Sequence, residues 1–172
     1  MSQNKIEKQA FTYPYFFRLL FRYGNIIITP ILILYSIPLI YFLDEKFILV
    51  FPLIVNLLII YFLNRHYFNL YKILPYSIEA DDEKLVCSNF FLSKKIKTIF
   101  YENISAISGG IFDNKISGIM KIQDGSNNFT MGFYHKLSGS QKLATIILSK
   151  VNRELYDEVL DKIRNGNKAI KK

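Results

Sequence analysis

The sequence predicts a membrane α-helical hairpin plus a small α+β domain, a curled antiparallel sheet or barrel of six to seven strands closed by a C-terminal helix. Three observations carry this reading. Two apolar arms without a charge, Tyr23–Leu43 and Phe47–Leu63, flank the polar break Asp44-Glu45-Lys46. Each falls within the roughly 17–25 residues that a helix needs to cross a bilayer. Short alternating runs separated by turn residues occupy 76–134, and apolar residues then recur every four positions from Leu143 to Ile163.

Five segments follow from these patterns: an N-terminal cytoplasmic or interfacial segment (1–22), the transmembrane hairpin (23–63), a helical linker (64–75), the strand domain (76–164) and a basic tail (165–172). A chain of 172 residues could not bury two such arms in a water-soluble core and still cover itself with polar groups. Net charge is +8, and residues 64–172 carry 17 Lys+Arg against 11 Asp+Glu. For a domain held at a bilayer, such a surplus reads as attraction to anionic headgroups, and nucleic acid is not expected as a partner. The single cysteine, Cys87, excludes an intramolecular disulfide and agrees with a reducing compartment. A cleaved signal peptide is not expected, because the first apolar run is too long for an h-region and lacks a small-residue cleavage site.

Residues 1–9 are polar. The next stretch, AFTYPYFFRLLFRYGN, mixes aromatic residues with Arg18 and Arg22, a composition suited to the headgroup layer or to the first turns of the first span. Pro14 is placed to start a helix. Pro30, Pro38 and Pro52 fall inside the arms, where membrane helices tolerate proline as a mild kink. Asn56 sits mid-span, and an amide in hydrocarbon wants a partner; Ser36 or the Tyr35 hydroxyl lies at a similar depth on the first arm, giving a helix–helix contact. Lys5, Lys8, Arg18 and Arg22 precede the first span and Arg65, His66 and Lys72 follow the second, so the positive-inside rule places both termini in the cytoplasm.

Pro75 ends the second helix. Strands are then expected at Tyr76–Ala80, Lys84–Phe91, Ile96–Tyr101, Ile104–Ser108, Ile116–Gln123 and Asn128–Tyr134, with turns at Asp81-Asp82-Glu83, Ser93-Lys94-Lys95 and Asp124–Asn127. Ser138 or Ser140 caps one long amphipathic helix, which Asn165-Gly166 ends.

This order of elements, with the phrase Ile99-Phe100-Tyr101-Glu102-Asn103-Ile104 and a strand directly after the second span, resembles the bacterial membrane-anchored PH-like (pleckstrin-homology-like) domain proteins with two N-terminal transmembrane helices. The resemblance covers about residues 47–164. It implies the curled PH-like sheet and a scaffold role. Eukaryotic PH domains that bind phosphoinositides use a basic first hairpin, whereas Asp81-Asp82-Glu83 is acidic here; the basic turn is the second one. Lys94, Lys95 and Lys97, with Lys168, Lys171 and Lys172 of the tail, are the candidates for a lipid-facing basic surface.

No catalytic, cofactor or metal residues are singled out. His66 and His135 have no metal-ligand spacing with Cys87, and Gly109-Gly110 is a turn signal, not a nucleotide loop. Ser138-Gly139-Ser140 reads as a cap, and the acids of the last helix alternate with Lys and Arg on a solvated face. The expected function is a non-enzymatic, cytoplasmic interaction or scaffold module in the cytoplasmic (inner) membrane. The alternative is an accessory subunit of a membrane transport or secretion complex, bound through its hairpin. Membrane lipids, an unidentified membrane or cytoplasmic protein, and further copies of the chain are the expected partners.

Overall fold

The computed structural model describes residues 8–115 and 118–170, with side chains described up to residue 164. Helix α1 (Tyr15–Tyr41) begins directly after Pro14, so Tyr15–Arg22 form its first turns. Its 27 residues reach about 40 Å at the usual helical rise. Helix α2 (Val50–Ile73) is led in by a 3₁₀ turn at Phe47–Leu49. Tyr15–Tyr41 and Phe47–Ile73 are both long and apolar enough to cross a membrane. Their outward residues include Ile31, Leu34, Ile37, Phe51 and Phe62, all exposed on the isolated chain. So continuous an apolar surface is stable only in a non-aqueous surrounding or against a partner. Residues 15–72 form one compact unit; residues up to Pro14 and from Ile73 onward form the other.

That second unit contains seven antiparallel strands in two sheets. The first sheet has the order β1 (Gln9–Thr12), β2 (Ser77–Ala80), β3 (Lys84–Ser88), β4 (Lys97–Phe100); the second runs β5 (Ile104–Ser108), β6 (Ile119–Asp124), β7 (Phe129–Tyr134). Strand β1 comes from before the spans and was not anticipated. It pairs along its whole length with β2, from Gln9 opposite Ala80 to Thr12 opposite Ser77. The fifth expected strand began at Ile116, and residues 116 and 117 lie outside the described residues.

Of the two forms expected, a curled sheet or a barrel, the closed barrel is corrected: the strands form two separate sheets, and among the described residues no ladder joins them. The reason is local. After β4 the chain makes a 3₁₀ turn at Tyr101–Asn103, and β5 leaves it paired only with β6, with an irregularity between Ile104 and Ala106. At the other seam, single bonds stand where a ladder would run: the Tyr134 N–H donates to Tyr13 Oη at 2.9 Å, and the Ser138 N–H to Thr12 O at 3.0 Å.

The single C-terminal helix is also corrected, to α3 (Ser140–Lys150) and α4 (Arg153–Ile170). Val151 turns extended, and Asn152 Oδ1 accepts the Leu155 N–H at 2.8 Å, which starts the second helix with its own cap. The apolar stripe survives the break, because Leu143, Ile147, Leu155 and Val159 all remain buried. Asn165-Gly166 does not end α4, which keeps helical backbone to Ile170; an Asn-Gly pair favours a stop without imposing one. Helix α4 packs on β5 and on the 3₁₀ turn Gly110–Asp113. That turn needs Gly109, at φ 80, because a Cβ there would stand 2.1 Å from Ile119 O. The core between sheets and helices is apolar: Ile78, Leu85, Ile99, Ile107, Phe112, Ile122, Met131 and Phe133 are sealed from solvent.

Candidate functional site

The hairpin holds the buried side chains of Asn25, Ser36 and Asn56 between its own helices. Asn56 Nδ2 donates to Ser36 Oγ at 2.7 Å and to Leu32 O at 2.9 Å. One stretch further along, Asn25 Nδ2 donates to Asn64 Oδ1 at 2.9 Å, Asn64 Nδ2 to Thr29 Oγ1 at 3.1 Å, and Thr29 Oγ1 to Asn25 Oδ1 at 3.0 Å, closing a ring of three side chains. Tyr71 Oη donates to Arg22 O at 3.2 Å, and Gly24 leaves room for the Tyr67 hydroxyl, 2.7 Å from where a Cβ would be. Positions 22, 25, 29, 32 and 36 of α1 thus meet 71, 64 and 56 of α2 along one seam. Their alternating three- and four-residue spacing is that of a packed helix pair. In hydrocarbon such bonds hold helices together for about 0.6–2 kcal/mol each. Sequence reading found Asn56 and Ser36 but missed Asn25, Thr29 and Asn64, although their spacing puts them on the same faces.

In the strand domain, the acidic turn is occupied with holding itself in place. Asp81 Oδ1 accepts the N–H groups of Glu83 and Lys84, both at 2.9 Å. Tyr101 Oη donates to Asp81 O at 3.1 Å, and Asp82 pairs with Lys150 of α3 at 3.2 Å. Burial pushes the Tyr101 phenol above its ordinary value, and the neighbouring Asp81 and Asp82 charges push it further. Tyr13 is raised mainly by burial as well. At the first strand, Lys8 pairs with Glu79 at 2.6 Å, and the bond raises its ammonium pKa.

The lysines expected to form one basic surface divide. Lys94 and Lys95 lie on the β3–β4 connection and Lys97 opens β4, all three exposed; Lys97 Nζ sits 5.5 Å from the Phe129 ring centre. Lys168 lies on α4 with its side chain outside the described residues, as are Lys171 and Lys172 altogether. Beside the lysines the same connection exposes two large apolar side chains that sequence reading did not mark, Leu92 and Ile96.

Cys87 is fully buried on β3, and burial pushes its thiol pKa far up, so it is a core residue with an inert sulfur. His66 and His135 are both exposed, one in each unit. Among the described residues no three His, Cys, Asp or Glu side chains are grouped to hold a metal ion. A shallow open hollow of about 600 Å³ between the Gly110–Asp113 turn and α4 is lined by Asp113, Lys115, Glu158, Asp161 and Lys162. Its charges are mixed and solvated.

Comparison with protein-family models, with curated proteins and with solved structures finds no match to this chain. What fold and seam define is therefore a class only: two helices fit to cross a membrane, joined to a two-sheet antiparallel domain with C-terminal helices.

Proposed function

We propose that this protein is a membrane-anchored, non-enzymatic interaction module. Its PH-like domain stands in the cytoplasm, both termini are cytoplasmic, and the domain holds or assembles a membrane or cytoplasmic protein. The observation that carries the reading is the pairing of β1 with β2. The two strands lie on opposite sides of the hairpin in sequence, so a sheet containing both requires an even number of crossings between them. Two spans satisfy this, and the Arg18, Arg22, Arg65 and Lys72 charges on the flanks favour the cytoplasmic side. The polar seam supports an anchor, since its amide and hydroxyl groups are taken up in bonds between the two helices.

Cysteine accessibility tests the arrangement. Asp44→Cys or Lys46→Cys is expected to react with a membrane-impermeant thiol reagent in intact cells, and Lys142→Cys only after the cells are broken. Cys87 stays silent in both because it is buried. The reverse pattern overturns the cytoplasmic domain. Exchanging the hairpin for an unrelated pair of spans then tests where the partner binds: retained crosslinks to the partner favour the domain, and lost crosslinks favour an accessory subunit bound through the hairpin.

A further inference from the structure

The β3–β4 connection, Asn89-Phe90-Phe91-Leu92-Ser93-Lys94-Lys95-Ile96-Lys97, presents a combination that folding alone does not explain. Leu92 is 86% exposed and Ile96 65% exposed, the most exposed large apolar side chains among the described residues outside 15–72. Leu92 also sits at φ 53. The other non-glycine residues at positive φ are Asn89, Asn114 and Asn128, the residue type that tolerates this region. A leucine there carries backbone strain, and in the folded chain it buries almost nothing in return. The loop is nevertheless well held. The Ser93 N–H donates to Phe90 O at 3.3 Å, the Lys95 N–H to Ser93 Oγ at 3.2 Å, and Phe90 is buried edge-on against Phe129. Three lysines and no acid accompany the two apolar side chains.

We infer that this loop is a second membrane contact: Leu92 and Ile96 enter the acyl boundary of an anionic leaflet while Lys94, Lys95 and Lys97 meet its phosphates. Charge decides the occupant. A tip of two aliphatic side chains whose only charged companions in the segment 89–97 are lysines matches an interface that is apolar inside and negative at its rim. A protein groove would have to supply both features. Because the loop is preordered by its own hydrogen bonds, insertion costs little conformational entropy. The inference rests on the anchored reading above, since the spans are what keep a bilayer within reach. It adds a point of attachment that the spans do not need.

The test uses the full chain in lipid nanodiscs. The sequence has no tryptophan, so Leu92→Trp gives a single reporter at the tip. In nanodiscs containing phosphatidylserine, its emission is expected to shift to the blue and to be quenched by lipids brominated near the headgroup. Both effects should fade in purely zwitterionic nanodiscs. Adding Ile96→Asp, an exposed change that leaves the core alone, is expected to lower the inserted population about tenfold or more. Replacing Lys94, Lys95 and Lys97 by Gln should lower it by about 10²-fold at low salt, at about fivefold per lysine. Salt near 1 M, where screening acts within about 3 Å, should do much the same. A water-like emission from protein that is in the nanodisc overturns the insertion and leaves the anchor standing. A blue shift without bromine quenching overturns it in favour of a protein contact. Failure of the chain to enter nanodiscs at all removes the anchored reading, and the insertion with it.

Discussion

Phe11→Ala removes the side chain that fixes strand β1 to the rest of the strand domain. Phe11 is 4% exposed, and its ring edge lies 3.1 Å from where a Cβ on Gly139 would stand, at the start of α3. Truncating a buried phenylalanine costs about 3–5 kcal/mol. A four-residue strand can relax around the cavity, so the lower end, about 3 kcal/mol, is expected. A domain of this size is stable by about 5–15 kcal/mol, so the loss is a large share. Cys87 supplies the assay without a label in the sequence. It is the only cysteine and is sealed in the core, so its rate of thiol modification in the full chain, held in micelles and titrated with urea, reports opening of the strand domain. With a urea slope of about 2 kcal/mol per molar, the midpoint for Phe11→Ala should fall by about 1.5 M. Tyr156→Phe, at a partly exposed position on α4, serves as the control and should not move it. A shift for Phe11→Ala no larger than about 0.5 kcal/mol, typical of a surface change, would refute the placement of the N-terminal strand in this domain.

The break between α3 and α4 makes two neighbouring substitutions differ in sign. Leu155→Asp buries a charge and should prevent cooperative folding, whereas Arg153→Asp places an acid in the first turn of α4 and should be neutral or slightly stabilising by the same urea assay. In the membrane, Asn64→Leu should weaken the hairpin by about 1–2 kcal/mol, more than Asn56→Leu, when helix separation is followed in bicelles. Without Asn64 the buried Asn25 amide loses its acceptor, while Ser36 keeps its own bond to Leu32 O when Asn56 is gone. Alkaline pH should destabilise the strand domain in two stages. Cys87, Tyr13 and Tyr101 all have folded-state values raised by burial, so each holds its proton in the fold after an unfolded chain would lose it. Stability is therefore complete below the ordinary values, declines from about pH 9 as the unfolded thiol ionises, and declines faster above about pH 10 with the two phenols. A urea midpoint that stays flat from about pH 8 to about pH 11 would contradict the buried positions of all three.

The spans, the six strands after them and the apolar stripe were legible because each has a local period or a run length that composition displays. Three things were not. Strand β1 is four residues long, and what makes Gln9–Thr12 a strand is the partner at Ser77–Ala80, which no local pattern announces. The break at Val151–Asn152 preserves the four-residue recurrence on both sides, so periodicity runs through it; only the capping capacity of Asn152 marked the place. The separation into two sheets depends on the Tyr101–Asn103 turn, inside a phrase that sequence reading used as evidence of resemblance and not as a point of divergence. At the candidate sites, the lysines were visible as charges. The exposure of Leu92 and Ile96 was not, because an apolar residue in a loop reads as core until the backbone shows where it points.

Strand order also bears on how the protein is made. Residues 9–12 leave the ribosome before the two long apolar helices, but the strand they pair with follows only after both helices have been synthesised. During that interval β1 has no sheet to join. In the anchored reading proposed above, failure of one span to insert would leave the two strands on opposite sides of the bilayer, unable to meet. The edge of β2 is then bare, and the sites filled by Phe11 and Tyr13 stand empty. On that reading, completion of this sheet is a record that both crossings succeeded, and a mis-inserted chain carries an open strand edge by which proteases and chaperones can recognise it.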